Sequence, residues 1–462
     1  MLVNIEDKQS KLIVSFINKK GNIELLDIPL SEKEKFIWVE TNRKKDAHPT
    51  IKSWNEKKVK KVPSKYLNKY RIEEVLLKQP KHIKDKIYEM NIPNLYFCDI
   101  EVEITDEGFP HPHLAKNKVT SISYSHKNKV ISLGTKKLSN EDIKLIEKDI
   151  NNHFKDYYSI EFEYRYFESE YDMLYTFFND DVQKMPLITG WYFTKFDWPY
   201  LINRCKILNI DTSVVSPTRK MKDEMIPYHR IVVDYLQVYK KWDRTVSVKE
   251  NDSLDFVSKQ VLGINKIKYN GTLQDLYEQD FRKYIFYNAV DALLVQLIHE
   301  KIQTINTWLM LANITKVEVL KAFSTIWMTE SVMVKEFYKE NKVIPKQENI
   351  KDKKREYYEG AYVFSSNPGL YEWVASFDFA SLYPSIMRQW NISPENYVMN
   401  TDEDVDKEKY IKTSSGAVFK KEKDSVFRKI LTEYYGKRKS TKQKMFQIEK
   451  EIAYLKEILE KK

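Results

Sequence analysis

The hydrophobic and polar positions of the chain change their spacing several times, and each change predicts a new element. Near the start, the runs KLIVSFI and EKFIWVE favour short strands, and a basic helical stretch after them ends at Asn91-Ile92-Pro93. From Leu95 onward LYFCDIEVEI, VTSISYSH, KVISLG and MPLITGWY predict strands of one sheet. EDIKLIEKDINNHF, YDMLYTFFNDDVQKM, DWPYLINRCKIL and FRKYIFYNAVDALLVQLIHEKI predict helices between and after them, which together indicate an α/β block.

The last third of the chain predicts a second core. Residues 306–345 are predicted to be helical, and a charged connector follows near Pro345–Arg355. GAYVF and WVASFDFASLYPS then predict strands, and residues from about Ser425 to Lys462 predict one long helix. Its apolar positions follow a 4-3-4-3-4 spacing that is typical of a helical hairpin or a coiled coil: Thr441, Met445, Ile448, Ile452, Leu455 and Leu459. The chain stops inside this helix without a cap, so we expect the seam to dock a helix of a partner chain.

Composition narrows the class of protein. The 462 residues carry a net charge of +10, with Lys and Arg concentrated in 52–65 and 437–444, which is compatible with nucleic-acid binding without requiring it. Two cysteines provide neither a disulfide scaffold nor a four-thiolate metal site, so a reducing compartment is favoured. The start MLVNIEDKQS has no signal-peptide core, and no 18 apolar residues run together. We therefore expect a soluble, intracellular, multidomain protein with no membrane partner.

Acidic side chains recur at positions where α/β proteins build active sites. Asp99 and Glu101 lie two apart in an apolar strand, so both carboxylates share one face, and a divalent cation is the natural compensation for them. Asp197 ends the strand-to-helix junction GWYFTKFD, and Tyr287 and Asp291 share a helical face at i and i+4. Taken singly, each feature also fits a surface ion pair or a core aromatic residue.

In order, the pattern D-x-E, F-D and Y-x-x-x-D resembles the proofreading 3′→5′ exonuclease domain of family B DNA polymerases, the DEDD type with tyrosine. The resemblance implies that Asp99, Glu101, Asp197 and Asp291 hold two Mg²⁺ or Mn²⁺ ions and that Tyr287 orients the attacking water. Two ions about 3.5–4 Å apart would activate water and stabilise the leaving 3′-oxygen. Tyr192 stands where the family usually has Asn, which leaves one substrate-orienting contact open.

The run SFDFASLYPSIM, residues 376–387, resembles motif A of the same family, D-x-x-S-L-Y-P-S. YEGAYV before it, RQWNISPE after it and FPHPHLAK in the exonuclease block are similar to DNA polymerases of T-even-like bacteriophages. The resemblance implies that Asp378 and the Phe379 carbonyl bind metal. It also implies that the N–H groups of Ser381 and Leu382 face the triphosphate and that the Tyr383 ring excludes a 2′-hydroxyl.

Two further groups of residues match elements of this family. Tyr358, Gly360 and Ala361 match the Y-x-G-(G/A) element that grips the primer–template. Arg438 and Lys442, at i and i+4 in the last helix, match cations of the finger helix that bind the triphosphate. In contrast, the acidic loop TDEDVDKEK is interpreted as solvated surface.

The family's motif B (K-x-x-x-N-S-x-Y-G) and motif C (D-T-D) do not occur in the sequence. One palm aspartate cannot hold the two further ions of a polymerase centre, so polymerisation is expected only with a C-terminal half that supplies the missing motifs. We therefore interpret the chain as the N-terminal subunit of a split polymerase, acting in a host bacterial cytoplasm. The alternatives are a stand-alone exonuclease with a remnant palm that binds DNA, and a non-catalytic scaffold.

The resemblance implies a multidomain α/β and α+β fold in four parts. Residues 1–93 with 306–348 would form a mixed N-terminal domain, and 94–305 an RNase H-like exonuclease domain. Residues 349–424 would form a partial ferredoxin-like palm, and 425–462 the first finger helix. The implied partners are primer–template DNA, single-stranded 3′ ends, deoxynucleoside triphosphates and, through the partner half, a sliding clamp.

Overall fold

The computed structural model of the chain describes residues 1–105, 108, 110–243, 251–346, 360 and 362–460. By contact density the chain divides into two compact units. The first comprises Met1–Glu34 and Lys78–Ser331, and the second Lys35–Leu77 and Val332–Lys462. The four-part domain division derived from the sequence stays a prediction. Within the described ranges, no helix combines the length and apolar character needed to cross a membrane.

The described residues form strands and helices with the following bounds. The strands are β1 Leu2–Asp7, β2 Lys11–Ile17, β3 Ile23–Pro29, β4 Phe36–Glu40, β5 Lys52–Ser53, β6 Val59–Pro63, β7 Leu95–Val102, β8 Val119–His126, β9 Lys129–Gly134, β10 Glu161–Tyr166, β11 Leu187–Gly190, β12 Met221–Lys222, β13 Ile226–Pro227, β14 Ile231–Asp234, β15 Lys342–Val343, β16 Tyr397–Asn400, β17 Tyr410–Lys412 and β18 Ala417–Lys420. The α-helices are α1 Lys69–Lys78, α2 Lys81–Tyr88, α3 Asn140–His153, α4 Glu170–Thr176, α5 Asp197–Ile207, α6 Tyr235–Trp242, α7 Leu254–Leu262, α8 Leu273–Gln279, α9 Phe281–Ile302, α10 Thr304–Thr315, α11 Thr325–Lys339, α12 Leu382–Gln389 and α13 Val426–Glu460.

A six-stranded mixed sheet in the order β10-β9-β8-β7-β11-β14 forms the centre of the first unit. Strand β7 pairs antiparallel with β8 and parallel with β11, so it lies in the middle of the sheet. A central strand covered on both faces is normally apolar throughout, because neither face meets water. The two acidic residues of β7 therefore require a compensating partner. A separate antiparallel sheet, β1-β2-β3, belongs to the same unit.

Helix α9 packs on one face of the mixed sheet and carries the residues that complete the candidate site. It begins after Asp280, whose carboxylate accepts from the Lys283 backbone N–H at 2.9 Å, and it ends at Gln303 in the left-handed conformation. Its residues from Asn288 to His299 are buried, as expected for a helix that is covered nearly all round. On the other face of the sheet a second core includes the buried rings of Phe177 and Trp198.

Two sequence-based predictions of secondary structure are wrong in part. The helix predicted over YDMLYTFFNDDVQKM ends as an α-helix at Thr176 and continues as a π turn and a 3-10 turn. The wider π turn lets the consecutive rings of Phe177 and Phe178 both reach the core. The described residues of GAYVF and 373–381 form no strand, and 382–389 form α12. A strand needs a hydrogen-bonded neighbour, and the described residues offer this segment none.

The second unit contains several small sheets and the long C-terminal helix. Strands β4 and β6 pair antiparallel, β5 and β15 pair parallel, and β16, β18 and β17 form an antiparallel sheet. The predicted long helix is present as α13, with 35 residues, and its part beyond Gly436 is exposed. The predicted apolar seam is exposed as well, with Leu459 at 72% of its full accessible surface.

Candidate active site

Strand β7 presents Asp99 and Glu101 on one face of the mixed sheet, as their spacing predicts. Glu101 is buried and Asp99 is partly accessible. In the register with β8, Asp99 lies opposite Ser123 and Glu101 opposite Ser121, so small hydroxyl side chains neighbour the acids. Small residues there leave room for α9 to approach the strand.

Helix α9 brings Asp291 to these two acids. One carboxylate oxygen from each of Asp99, Glu101 and Asp291 lies within 4.8 Å of the other two, which makes these three a candidate metal-binding group. Tyr287, one turn earlier on α9, hydrogen-bonds to Asp291, and its ring meets that of Tyr269 edge-on with centroids 5.4 Å apart. The predicted sharing of a helical face by Tyr287 and Asp291 is therefore seen in the structure.

Asp197 lies beside this group without being part of it. It is buried at the first position of α5, and its Oδ1 accepts a hydrogen bond from the Ile100 backbone N–H at 3.2 Å. Because Ile100 separates Asp99 from Glu101, this bond places Asp197 against the strand between the two acids. The neighbouring carboxylate is Asp234, buried at the end of β14, where it accepts from the Leu236 backbone N–H at 2.9 Å.

A lysine that no sequence pattern singles out completes the site. Lys266 Nζ lies 2.5 Å from Asp291 Oδ2 and 5.0 Å from the centroid of the Tyr287 ring. Its backbone N–H donates to Asp255 Oδ1 at 2.8 Å, which fixes the segment between α7 and α8. Lys266 stands in the lysine-rich run NKIKYNG, and nothing in its spacing distinguishes it from Lys268.

Burial and mutual repulsion raise the pKa of every acid in the site. Loss of water contact, with the charge of Asp291, raises the pKa of Glu101 to about 8. Burial also raises the pKa of Asp197 to about 8, against the opposing effect of the Ile100 N–H, and the pKa of Asp291 is raised despite Lys266. Burial and the three neighbouring acids raise the pKa of Asp99 well above its usual range. The site is therefore short of positive charge.

The residues present fit a divalent cation. Their donor atoms are carboxylate oxygens, which Mg²⁺ and Mn²⁺ prefer. Asp291 Oδ1 is buried and has no hydrogen-bond partner in the described part of the chain, so it offers a free lone pair. Among the described residues, Lys266 is the only cation that forms an ion pair with these carboxylates, and it neutralises only one of the acids.

The predicted polymerase-site residues lie in the second unit, where the described residues form no comparable group of acids. Asp378, Phe379 and Tyr383 are exposed, with Phe379 at 76% and Tyr383 at 75% of full accessibility. Ser381 adopts the left-handed conformation (φ 54°) and precedes the first turn of α12, in which Leu382 is exposed.

The remaining predicted contacts are also on open surface or outside the described residues. Arg438 and Lys442 are exposed on α13, one turn apart. Gly360 is exposed, and a Cβ built on it would have no neighbour within 4 Å. Tyr358 and Ala361 lie outside the described residues.

Comparison with known families accounts for both groups of motifs. Residues 50–249 match the family described as "DNA polymerase family B, exonuclease domain", and residues 318–462 match "DNA polymerase family B". The first match includes Asp99, Glu101 and Asp197, and the second includes Asp378. Tyr287 and Asp291 lie between the two matched ranges.

Individual relatives extend over most of the chain. It is 29% identical over 402 residues to the "DNA-directed DNA polymerase" of Escherichia phage RB69, covering 78% of this chain and 44% of that protein. It is 29% identical over 416 residues to the protein of the same description from Enterobacteria phage T4, covering 81% and 45%. The "DNA polymerase delta catalytic subunit" of Oryza sativa subsp. japonica is 29% identical over 311 residues, covering 60% and 27%.

The two matched ranges of the chain thus point to a single class of protein, the DNA polymerases. Within it, the chain belongs to the family B DNA polymerases, of which it carries the exonuclease domain and part of the palm region. The chain spans less than half the length of the phage relatives that it matches.

Proposed function

We propose that this chain is the proofreading part of a family B DNA polymerase and hydrolyses the 3′ end of a DNA primer. The observation that carries the proposal is the group formed by the partly accessible Asp99 and the buried Glu101 and Asp291, whose oxygens converge within 4.8 Å. The family match, the adjacent Asp197 and the hydroxyl of Tyr287 support it. A stand-alone binding module would have no use for four acids that each resist ionisation.

Asp99, Glu101, Asp197 and Asp291 would together hold two Mg²⁺ or Mn²⁺ ions. When bound, such ions make water a better nucleophile and stabilise the negative charge that develops on the leaving oxygen. Water attacks the phosphorus between the last two nucleotides, and the bond from that phosphorus to the 3′-oxygen of the penultimate nucleotide breaks. The products are a deoxynucleoside 5′-monophosphate and a new 3′-hydroxyl, with the proton of that hydroxyl taken from solvent.

The side chains of this chain have separable tasks in that reaction. Burial keeps the pKa of the Tyr287 hydroxyl above its usual range, so the group stays protonated. It donates its single hydrogen to Asp291, and its oxygen can accept a hydrogen bond from the attacking water. Asp291 and Lys266 hold the Tyr287 hydroxyl in place, since both hydrogen-bond to it. Asn288 donates to Asp99 and so fixes one metal-binding carboxylate.

We further propose that the second unit contributes half of a polymerase site. Asp378 and the Phe379 carbonyl would bind metal, and Ser381, Leu382, Tyr383, Arg438 and Lys442 would contact the incoming nucleotide. Tyr358, Gly360 and Ala361 would contact the primer–template. The exposure of Asp378, Phe379, Tyr383, Arg438 and Lys442 is consistent with a site completed by the residues of motifs B and C, which this sequence does not contain. A sliding clamp would bind through the partner chain that supplies motifs B and C.

The experiment is to incubate the purified chain with a labelled, mismatched primer–template, Mg²⁺ and all four deoxynucleotides. Shortening from the 3′ end is expected, and it should be lost with EDTA and in Asp99→Ala. The matched control is Asp156→Ala, on the exposed surface of the same unit, which should shorten the primer like the wild type. Equal shortening by wild type and Asp99→Ala would refute the proposed site. Extension of the primer by this chain alone would refute the proposal that polymerisation needs the residues of motifs B and C.

A further inference from the structure

The loop between β11 and α5 is fastened to strand β7 on both sides of Asp99. At its start, Gly190 lies so close to the Cys98 carbonyl that an added Cβ would be 2.1 Å from that oxygen. At its end, Asp197 Oδ1 accepts from the Ile100 backbone N–H at 3.2 Å. A chain segment spans at most about 3.6 Å per residue, so a residue two positions after Gly190 has its Cα within roughly 7 Å of the glycine. Tyr192 is that residue, and its backbone N–H donates to Asp234, the acid whose charge acts on Asp197.

The backbone of Tyr192 adopts an unfavourable conformation that its surroundings enforce. Its φ is +64°, in the left-handed region that a bulky residue seldom occupies. The carbonyl of Tyr192 accepts from the N–H groups of Lys195 at 2.9 Å and Phe196 at 3.0 Å, and its own N–H donates to the Asp234 carboxylate. A conformation that costs free energy and is held from both sides is an indication of function.

The loop exposes the Tyr192 ring, buries Phe193 and partly buries Trp191. Phe193 is fully buried and Trp191 donates from Nε1 to the Asp252 carbonyl at 2.9 Å, whereas Tyr192 has 55% of its surface exposed. Lys195, three residues on in the same turn, is exposed too. The loop thus offers an aromatic face and a positive charge next to the acids, which are the two groups that bind single-stranded nucleic acid without regard to sequence.

We propose that Tyr192 is a substrate-binding residue whose ring stacks on a base of a single-stranded DNA 3′ end, while Lys195 contacts a phosphate of the same strand. This inference rests on the proposed exonuclease function. Asp234 acts as a positioning residue because it accepts the hydrogen bond from the Tyr192 N–H. Stacking would favour frayed or mismatched ends over paired ones, because only an unpaired base offers its face to the ring.

Three substitutions at Tyr192 distinguish the effect of its aromatic ring from the effect of its left-handed backbone. Tyr192→Phe keeps the aromatic face, and Tyr192→Leu removes it at similar size. Tyr192→Gly removes the ring and also relieves the left-handed strain, so it should melt at the wild-type temperature or above it. Tyr175→Leu is the control, since Tyr175 is a comparably exposed tyrosine on α4.

The test measures binding of the full chain to a single-stranded oligonucleotide with 2-aminopurine at its 3′ end, in EDTA so that no hydrolysis intervenes. Wild type, Tyr192→Phe and Tyr175→Leu should quench the fluorescence, because stacking quenches this base. Tyr192→Leu and Tyr192→Gly should bind about tenfold more weakly and quench less. In Mg²⁺ the same two variants should show a raised KM with kcat little changed.

Wild-type quenching and affinity in Tyr192→Leu would overturn the inference, as would a failure of the wild type to quench. The proposed exonuclease activity can fail while the stacking by Tyr192 holds. In that case the wild type quenches the fluorescence, Tyr192→Leu does not, and neither protein shortens the oligonucleotide in Mg²⁺.

Discussion

Asn288 Nδ2 donates a hydrogen bond to Asp99 Oδ2 at 2.7 Å, which ties helix α9 to the central strand of the sheet. The amide oxygen of Asn288 accepts from Ser121 Oγ at 3.0 Å and from Ser123 Oγ at 2.6 Å. An ionised Asp99 carboxylate can only accept, so the amide presents its NH₂ to Asp99 and its oxygen to the two hydroxyls, which can either donate or accept. Asn288, Ser121 and Ser123 are fully buried, so the bonds to the amide oxygen are shielded from water.

Asn288→Ala should therefore slow hydrolysis through the loss of its hydrogen bond to Asp99. The change leaves Asp99 without its hydrogen-bond donor and leaves two buried hydroxyls without an acceptor, at a cost of about 1–3 kcal/mol in the free energy of unfolding. We expect primer shortening to slow by about tenfold or more, within the range for outer-shell partners of metal ligands. Ser123→Ala is the control: it removes one donor to the amide oxygen and the hydroxyl partner of Ser132 but keeps the bond from Asn288 to Asp99, so it should slow the reaction less. Equal rates for Asn288→Ala and wild type would show that Asp99 needs no such support.

The acidic group makes stability depend on pH in the absence of divalent ions. The pKa of Glu101 and that of Asp197 are each raised to about 8 in the folded chain. A carboxyl group with a raised folded-state pKa binds its proton more tightly when folded, so the free energy of unfolding falls as pH rises from about 4 to about 8. The unfolding midpoint in denaturant, measured in EDTA across this window, should decline with pH.

Two additions to that measurement isolate the cause. Mg²⁺ should restore stability at pH 8, because bound ions favour the ionised carboxylates. Asp197→Asn keeps an oxygen that can accept from the Ile100 N–H and removes one charge, so it should flatten the decline by about 1 kcal/mol or more. A midpoint that rises between pH 5 and pH 8 in EDTA would contradict the assigned burial of these acids.

Lys266 should compete with divalent ions for Asp291, since its ammonium lies 2.5 Å from Asp291 Oδ2. Lys266→Met retains the apolar stem and removes the charge. In EDTA at pH 8 the variant should be less stable by about 2 kcal/mol or more, because a buried carboxylate loses its partner. The thermal shift produced by Mg²⁺ should be larger in the variant than in the wild type.

Lys268→Met is the matched control for Lys266→Met, two residues away in the same run. It should change neither the stability in EDTA nor the response to Mg²⁺. If both variants behaved alike, the ion pair of Lys266 with Asp291 would contribute neither to stability in EDTA nor to the response to Mg²⁺.

The sequence predicted the exonuclease block well because its signals are local. The two-residue spacing of Asp99 and Glu101 and the four-residue spacing of Tyr287 and Asp291 translate directly into shared faces of a strand and a helix. Lys266 could not be found in this way. Its contact with Asp291 joins segments that neither period nor spacing relates, and the chain has many lysines.

The predicted palm strands fail for the opposite reason. The alternating apolar residues around Asp378 have a local preference for a strand. A strand, however, forms only beside a hydrogen-bonded neighbour. Phe377 has 94% of its surface exposed and Trp373 has 99%, which shows that their intended core is not formed by the described residues. Propensity alone therefore does not decide the structure of this segment.

Gly190→Ala should damage the site through packing alone. A methyl group there would lie 2.1 Å from the Cys98 carbonyl oxygen, so β11 and β7 must separate. Overpacking of this kind costs about 1–3 kcal/mol or more, and here it also displaces the strand that carries Asp99. We expect a lower unfolding midpoint together with slower primer shortening. The control is Gly436→Ala in the exposed part of α13, where nothing lies within 4 Å and the helix should gain about 0.5–1 kcal/mol.

Primer extension should require residues beyond those of this sequence. A two-ion polymerase centre needs more than one carboxylate ligand, and Asp378 stands exposed without a second acid near it in motif A. Mixed with a polypeptide that carries motifs B and C of a related phage polymerase, the chain should extend a matched primer, and Asp378→Ala should abolish extension while leaving shortening intact. Arg438→Ala and Lys442→Ala should each raise the KM for deoxynucleotides, Arg438→Ala more so because a guanidinium grips phosphate with two hydrogen bonds. Loss of shortening in Asp378→Ala would mean that the two activities share residues, contrary to their placement in separate units.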